Sequence, residues 1–338
     1  MASTADAGVP LPIVDVSALV ARTSGSQTVA AALGQACRVH GFFYVTGHGV
    51  DSEIVERLAD ASRRFFAQDE ATKMQSRMSL GGRAWRGYFR AGDELTSGRP
   101  DWKEGLYLGS ELPDDHPLVQ ARTPLHGPNL WPSVPGLREA VLAYVDALTG
   151  VAHTLMEGIA HSLGLEPTYF ADRYTADPLI LFRLFNYPSR PAPAGQDVQW
   201  GVGEHSDYGL LTLLWQDDVG GLQVKTGDGW IEALPVPGSF VCNIGDMLDR
   251  MTGGLYRSTP HRVALNNSGR DRLSMPFFFD PHFEARVRPI EGLTASAAAQ
   301  DRATRWDGAN IHAFDGTYGD YLLAKVSKVF PELRREVL

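Results

Sequence analysis

The residues best suited to do chemistry lie in Glu204-His205-Ser206-Asp207-Tyr208. In an extended strand, residues i and i+2 point to the same face. His205 and Asp207 are therefore expected to aim an imidazole and a carboxylate at one point. A third ligand must come from elsewhere, and His261 in Ser258-Thr259-Pro260-His261-Arg262-Val263 is the best candidate, because it opens a predicted strand. The gap of 261 − 205 = 56 residues leaves room for several strands that return the chain to the first pair. Two histidines and one carboxylate on one face of an ion, with the opposite face open, is the donor set of mononuclear non-haem Fe(II) sites. Ten histidines allow many chance pairings, so this pattern alone leaves other readings open.

Arg272-Leu273-Ser274 follows His261 by 272 − 261 = 11 residues. Arg272 and Ser274 share one face of a strand and together offer a guanidinium fork and a hydroxyl, a fitting cradle for a carboxylate. The apolar run Met275-Pro276-Phe277-Phe278-Phe279 after them predicts an interior strand, where an arginine needs an anion.

The elements that must position these groups read as follows. From Leu179 to Pro281 short β-runs alternate with turns, at Ile180–Tyr187, Leu210–Gln216, Gly221–Lys225, Trp230–Ala233, Phe240–Ile244, His261–Leu265 and Leu273–Asp280. That rhythm predicts a sandwich or barrel. Leu137–Leu163 carries Leu137, Val141, Tyr144, Leu148, Val151, Leu155, Ile159 and Leu163 at steps of three and four, a helix able to lie along a sheet as a spine. Upstream, the spacing predicts an edge strand over Ile13–Leu19, a helix over Gln27–His40 capped by Ser26, a buried strand Phe42–Thr46, and helices near Asp51–Ala67 and Asp69–Met78. Gly316–Val329 reads as a final helix.

Bulk properties exclude several classes. A chain of 338 residues with 43% hydrophobic and 21% charged residues can bury a sizeable core. Its net charge of −9 and lack of a basic stretch argue against nucleic acid as a partner. No apolar run is long enough for a membrane span. Cys37 and Cys242 are too few for a disulfide framework and suit a reducing, cytoplasmic setting. Residues 1–10 read as a disordered leader rather than a signal peptide.

In combination, the motifs resemble the 2-oxoglutarate-dependent Fe(II) oxygenases, in the branch shared with isopenicillin N synthase and the plant flavonoid and gibberellin oxidases. The matching stretches are His205-Ser-Asp-Tyr-Gly-Leu-Leu-Thr-Leu-Leu, Gly220-Gly-Leu-Gln-Val, Asn243-Ile-Gly-Asp246, Ser258-Thr-Pro-His261-Arg-Val and Arg272-Leu-Ser274. Pro12-Ile-Val-Asp-Val and Gly41-Phe-Phe-Tyr-Val-Thr-Gly-His48-Gly resemble the family's N-terminal region. The resemblance implies a double-stranded β-helix, or jelly roll, within an α+β, mainly β chain with supporting helices. It implies iron on His205, Asp207 and His261, with Arg272 and Ser274 anchoring an acid. Tyr187 sits where relatives place a tyrosine on the co-substrate, and Phe185 replaces an asparagine common in plant members. Asp246 is expected to be a structural hydrogen-bonding residue.

The implied reaction uses Fe(II), 2-oxoglutarate and O₂ to hydroxylate or desaturate a small molecule, releasing succinate and CO₂. An isopenicillin-type oxidase, an ethylene-forming reaction and a non-catalytic ligand sensor are the alternatives. Related halogenases lack a carboxylate at the position of Asp207, which argues against halogenation. The segment from Trp85 to Glu104 is similar to bacterial members, including the ethylene-forming type, and nominates Arg86, Tyr88 and Arg90, with Tyr208, as substrate-side residues. The expected layout is one compact unit: an N-terminal region over 11–135, the spine helix and connection over 136–178, the catalytic core over 179–285 and a helical end over 286–338. Oligomeric state is not readable.

Overall fold

Strands rich in β-branched and aromatic residues pair into two facing sheets, and the space between them is the functional cavity. The computed structural model describes residues 11–191, 199–293, 308 and 310–330. The expected leader lies outside these residues. The strands are β1 (Ile13–Asp15), β2 (Phe42–Thr46), β3 (Gly87–Phe89), β4 (Glu104–Gly109), β5 (Leu179–Tyr187) and β6 (Trp200–His205). They continue as β7 (Leu211–Gln216), β8 (Leu222–Thr226), β9 (Gly229–Glu232), β10 (Phe240–Ile244), β11 (His261–Ala264) and β12 (Arg272–Asp280). The large sheet runs β1-β2-β10-β7-β12-β5-β4-β3, and the small one β6-β11-β8-β9. This is the jelly-roll core expected from the sequence.

Strand β5 shows why the large sheet sits in the middle. All nine of its residues are buried, as a strand covered on both faces requires. Leu181, Arg183, Phe185 and Tyr187 face the cavity, whereas the Phe182 ring meets Tyr144 on the outer side, 5.3 Å between centroids. Tyr144 belongs to the spine helix, Leu137–Ser162, which packs between helices Ser26–Val39 and Ser52–Phe66 and the back of the sheet. The predicted stripe is buried from Leu137 to Ile159. Truncating one such leucine to alanine would cost about 2–5 kcal/mol.

Three local expectations are corrected. Gly25, not Ser26, occupies the cap position of helix Ser26–Val39, and the Ser26 hydroxyl donates instead to the carbonyls of Ala18 and Thr23. The predicted edge strand stops at Asp15, and Ser17–Val20 forms one helical turn. The helix expected over Asp69–Met78 is one turn, Glu70–Lys73, followed by short 3₁₀ segments. Among the described residues no helix is long and apolar enough to cross a membrane.

Helix Tyr318–Val329 closes one side of the cavity with Leu322, Val326 and Val329. Its N-terminus carries a reciprocal capping box between Thr317 and Asp320. Two tyrosines anchor it: Tyr318 donates to Asp280 at 2.5 Å and Tyr321 to Asp246 at 2.6 Å.

Candidate metal centre

His205 ends β6 and His261 opens β11, and the two residues are direct cross-strand partners in an antiparallel pair. Their rings lie 4.2 Å apart. Asp207 is not on the strand, so the alternation that suggested its direction is not what places it. It lies in the turn after β6. The start of helix Asp246–Met251 holds that turn: the backbone N–H groups of Asp246, Gly245 and Met247 donate to the carbonyls of Asp207, Leu210 and Gly209. A Cβ on Gly245 would collide with the Gly209 carbonyl, which explains why the approach requires glycine.

Donor atoms of His205, Asp207 and His261 all lie within 4.8 Å of one another. The Nε2 atoms of His205 and His261 stand 3.8 and 3.7 Å from Asp207 Oδ1. These separations are too long for hydrogen bonds and suit three ligands of one ion. The remaining polar atoms are engaged from behind. His205 Nδ1 lies 2.8 Å from the Gly203 carbonyl and His261 Nδ1 3.2 Å from that of Thr259. Asp207 Oδ2 accepts from Thr212 at 2.6 Å and Asn243 at 2.7 Å. Such outer bonds fix ring orientation and leave the facing atoms free to coordinate.

The electrostatics agree. Burial and the neighbouring His205 pull His261 down to about 4, which keeps its lone pair available. Burial alone would raise Asp207, yet His261, His205, Asn243 and Thr212 together hold it below the usual carboxylate range. The donor set therefore fits a divalent iron.

Arg272, Ser274 and Tyr187 converge on the same cavity. Arg272 is 2% exposed and pairs across the strands with Tyr187, its guanidinium 4.6 Å from that ring's centroid. Its Nη2 donates to Gln216, while Nε and Nη1 are buried without a partner. Buried donors of this kind call for an acceptor, and a carboxylate has the shape and charge to be one. Ser274 Oγ lies 3.5 Å from the Tyr187 hydroxyl. Asn186 points away from the cavity, to Glu104 and Asp271, so no asparagine reaches this cradle from β5.

Of the nominated substrate-side residues, Tyr208 lines the cavity and three others do not. Arg86 is buried at the far end of β4, bonded to the Leu125 carbonyl and packed on Gly109. Tyr88 faces the opposite side of the sheet and donates to Glu104 at 2.5 Å. Arg90 is half exposed on the surface and pairs with Glu70 and Asp93. Their mixture of charge and aromatic rings gave no sign of which face of β3 they occupy. The same segment reaches the cavity a few residues later, at Glu94, Thr96 and Lys103.

Sequence reasoning also passed over Thr212, Arg183 and Asp280. Asp280 lines the cavity and is pressed against Gly209, where an added Cβ would collide with its carboxyl group. Burial pushes Asp280 up to about 7, against the Tyr318 hydrogen bond and with the Asp207 charge adding. A carboxyl raised in the folded state favours folding below its unfolded value of about 3.9, and that contribution is lost as pH rises through the folded value. Asp280→Asn, which cannot ionise, should therefore melt several degrees above wild type at about pH 8 and close to it at about pH 5. An equal difference at both pH values in thermal denaturation would show that Asp280 does not titrate there.

Comparison with known proteins agrees with this geometry. Residues 11–134 match the model of the non-haem dioxygenase in morphine synthesis N-terminal family, and residues 177–281 that of the 2OG-Fe(II) oxygenase superfamily. A probable iron/ascorbate oxidoreductase of Dictyostelium discoideum is 53% identical, over 97% of each chain. A homoarginine-6-hydroxylase of Glycine max is 37% identical, over 96% of this chain and 98% of its own. Among solved structures, a full-length Neurospora crassa protein in complex with alpha-KG superposes with a TM-score of 0.78 at 26% identity, covering 96% of this chain and 98% of that one. An iron-type triad in a jelly-roll cavity, a buried arginine with two unpaired donors on the same cavity and these relatives have one common explanation: the chain belongs to the 2OG-Fe(II) oxygenase superfamily.

Proposed function

We propose that this Fe(II)- and 2-oxoglutarate-dependent dioxygenase hydroxylates a small molecule, with iron held by His205, Asp207 and His261. The observation that carries the metal assignment is the division of labour on Asp207: Oδ2 is saturated by Thr212 and Asn243, and Oδ1 faces both imidazoles. Arg272, Ser274 and Tyr187 are the proposed hold on the far carboxylate of 2-oxoglutarate. Bound together, iron and 2-oxoglutarate supply O₂ activation, with succinate and CO₂ as by-products.

The chain's own residues bind, orient and shield. Phe278, Leu214, Leu322 and Val326 line the space around the triad and keep it apolar. Tyr208, next to Asp207, is the proposed contact to the organic substrate. Hydroxylation and an amino-acid-like substrate are supported by the name of the soybean relative. In this reading residues 179–285 carry the chemistry and 11–135 complete the cavity wall through Glu94, Thr96 and Lys103. A cytoplasmic location fits Cys37 and Cys242, both buried and free.

The test is an anaerobic titration. Fe(II) followed by 2-oxoglutarate should give a visible metal-to-ligand charge-transfer band, and O₂ should then release succinate. Iron binding with no band would sink the 2-oxoglutarate assignment and favour an oxidase that uses Arg272 for another acid.

A further inference from the structure

Lys103 and two arginines are buried on the cavity side of the sheet and Lys73 on its opposite side, and they are treated differently. Lys73 pairs with Glu104 at 2.6 Å, and Lys103 with Glu94 at 2.7 Å and Asp101 at 2.6 Å. Arg272 and Arg183 both line the cavity, and among the described residues neither has a carboxylate within ion-pair distance. Each guanidinium lies over a tyrosine ring, Arg272 over Tyr187 and Arg183 over Tyr107 at 3.5 Å. Arg183 is 6% exposed, and its Nη1 donates to the carbonyls of Leu108 and Phe182. Those two bonds hold the group flat on Tyr107 without neutralising it. The cavity's own carboxylates have nearer partners: Asp207 has the triad, Glu94 has Lys103 and Tyr107, and Asp280 accepts from Tyr318 through Oδ2, while its Oδ1 is buried without a hydrogen-bond partner and the Arg183 charge acts on it without forming an ion pair. A buried guanidinium keeps its charge, so a cavity with two of them and no carboxylate paired to either is built for two acids.

The two sites are separate. Arg272 is directly opposite Tyr187 on β5, and Arg183 is four residues further along that strand, a backbone spacing of about 13 Å. A dicarboxylate held by Arg272 at one end and by the metal at the other has no carboxylate left over for Arg183. Arg183 instead lies against Tyr107 and Phe278, further along β5 from the Arg272 cradle.

We infer that Arg183 is the anchor for a carboxylate of the prime substrate, which makes that substrate a carboxylic acid. The inference rests on the oxygenase reading above and narrows its substrate class. The neutral reading is that Arg183 only balances the cluster of Glu94, Asp101 and Lys103, in which two carboxylates share one ammonium and Tyr107 donates to Glu94. In that case the substrate's acid group is irrelevant.

The experiment uses the full chain with Fe(II) and 2-oxoglutarate. Matched pairs of L-homoarginine, L-arginine, 1-aminocyclopropane-1-carboxylate and indole-3-acetate with their carboxamides are added, each up to about 10 mM. The readouts are perturbation of the anaerobic charge-transfer band and stimulated succinate release. The expected result is a response to one or more acids and to none of their amides. Arg183→Gln should then weaken the responding acid about 10–100-fold while Arg183→Lys recovers part of the loss, the scale of one charge-assisted contact. The 2-oxoglutarate midpoint should move far less than that.

Three results would overturn the inference: amides working as well as acids, no acid acting at the highest concentration, or Arg183→Gln shifting the 2-oxoglutarate midpoint instead. Failure of the oxygenase reading is recognised separately, by a wild type that forms no band at all.

Discussion

Asp207→Ala is expected to abolish turnover and to weaken iron binding by more than about 100-fold, a loss greater than outer residues around a metal usually cause. The substitution removes the one anionic ligand and leaves two neutral imidazoles. The fold should survive it. Asp207 is itself costly to bury, and its removal leaves Thr212 and Asn243 without an acceptor, an effect of about 1–3 kcal/mol. Melting should therefore shift by only a few degrees without metal, while the charge-transfer band disappears. A variant that keeps the band or turns over would mean that the carboxylate is not a ligand. Asp207→Glu is a useful companion, because its longer arm cannot keep one oxygen on Thr212 and Asn243 while presenting the other to the histidines.

The second large effect is expected at Arg272. Arg272→Leu should raise the 2-oxoglutarate concentration needed for half-maximal rate by about 100-fold or more, because the fork makes more than one charge-assisted contact. The same change should leave the ligand-free protein as stable as wild type or slightly more so. Nε and Nη1 are buried with no partner, and replacing an uncompensated buried charge by an apolar group removes a penalty. The two effects have opposite signs and are read in one thermal-shift series. Wild type gains stability on adding 2-oxoglutarate by mass action, and the variant gains almost none. If the variant lost stability without ligand and still responded to 2-oxoglutarate, Arg272 would be a structural residue.

What the sequence made legible was governed by spacing. His205 and His261 announce themselves because one closes a strand and the other opens its neighbour. The spine helix was legible from a long 3.6-residue period. Asp207 was found with the wrong reason, since its direction comes from a turn clamped by the backbone of residues 245–247 rather than from strand alternation. Thr212 and Asn243 stood in the recognised stretches without a role, because their contact with Asp207 joins three separate strands and turns. Arg86 and Arg183 make the sharpest contrast. Both are single arginines in aromatic surroundings, and only the sheet's facing decides that Arg183 meets the cavity while Arg86 lies behind Gly109. Facing in a short strand such as β3, three residues long, is fixed by its partner and not by its own pattern.

Positions 209 and 280 constrain each other through their contact. An alanine at 209 would drive its Cβ into Oδ1 and Cγ of Asp280, yet that Cβ would stand 3.3 Å from the Asp280 Cβ. With Asp280 in its present orientation the change at 209 forces the carboxyl to move; with alanine at 280 it becomes a tight contact that a small shift can relieve. A side chain at 209 is therefore accommodated only if the Asp280 carboxyl turns away or is removed, and either change gives up the anchor for Tyr318. The glycine two residues after Asp207 is thus tied sterically to an acid 71 residues away, the difference between 280 and 209.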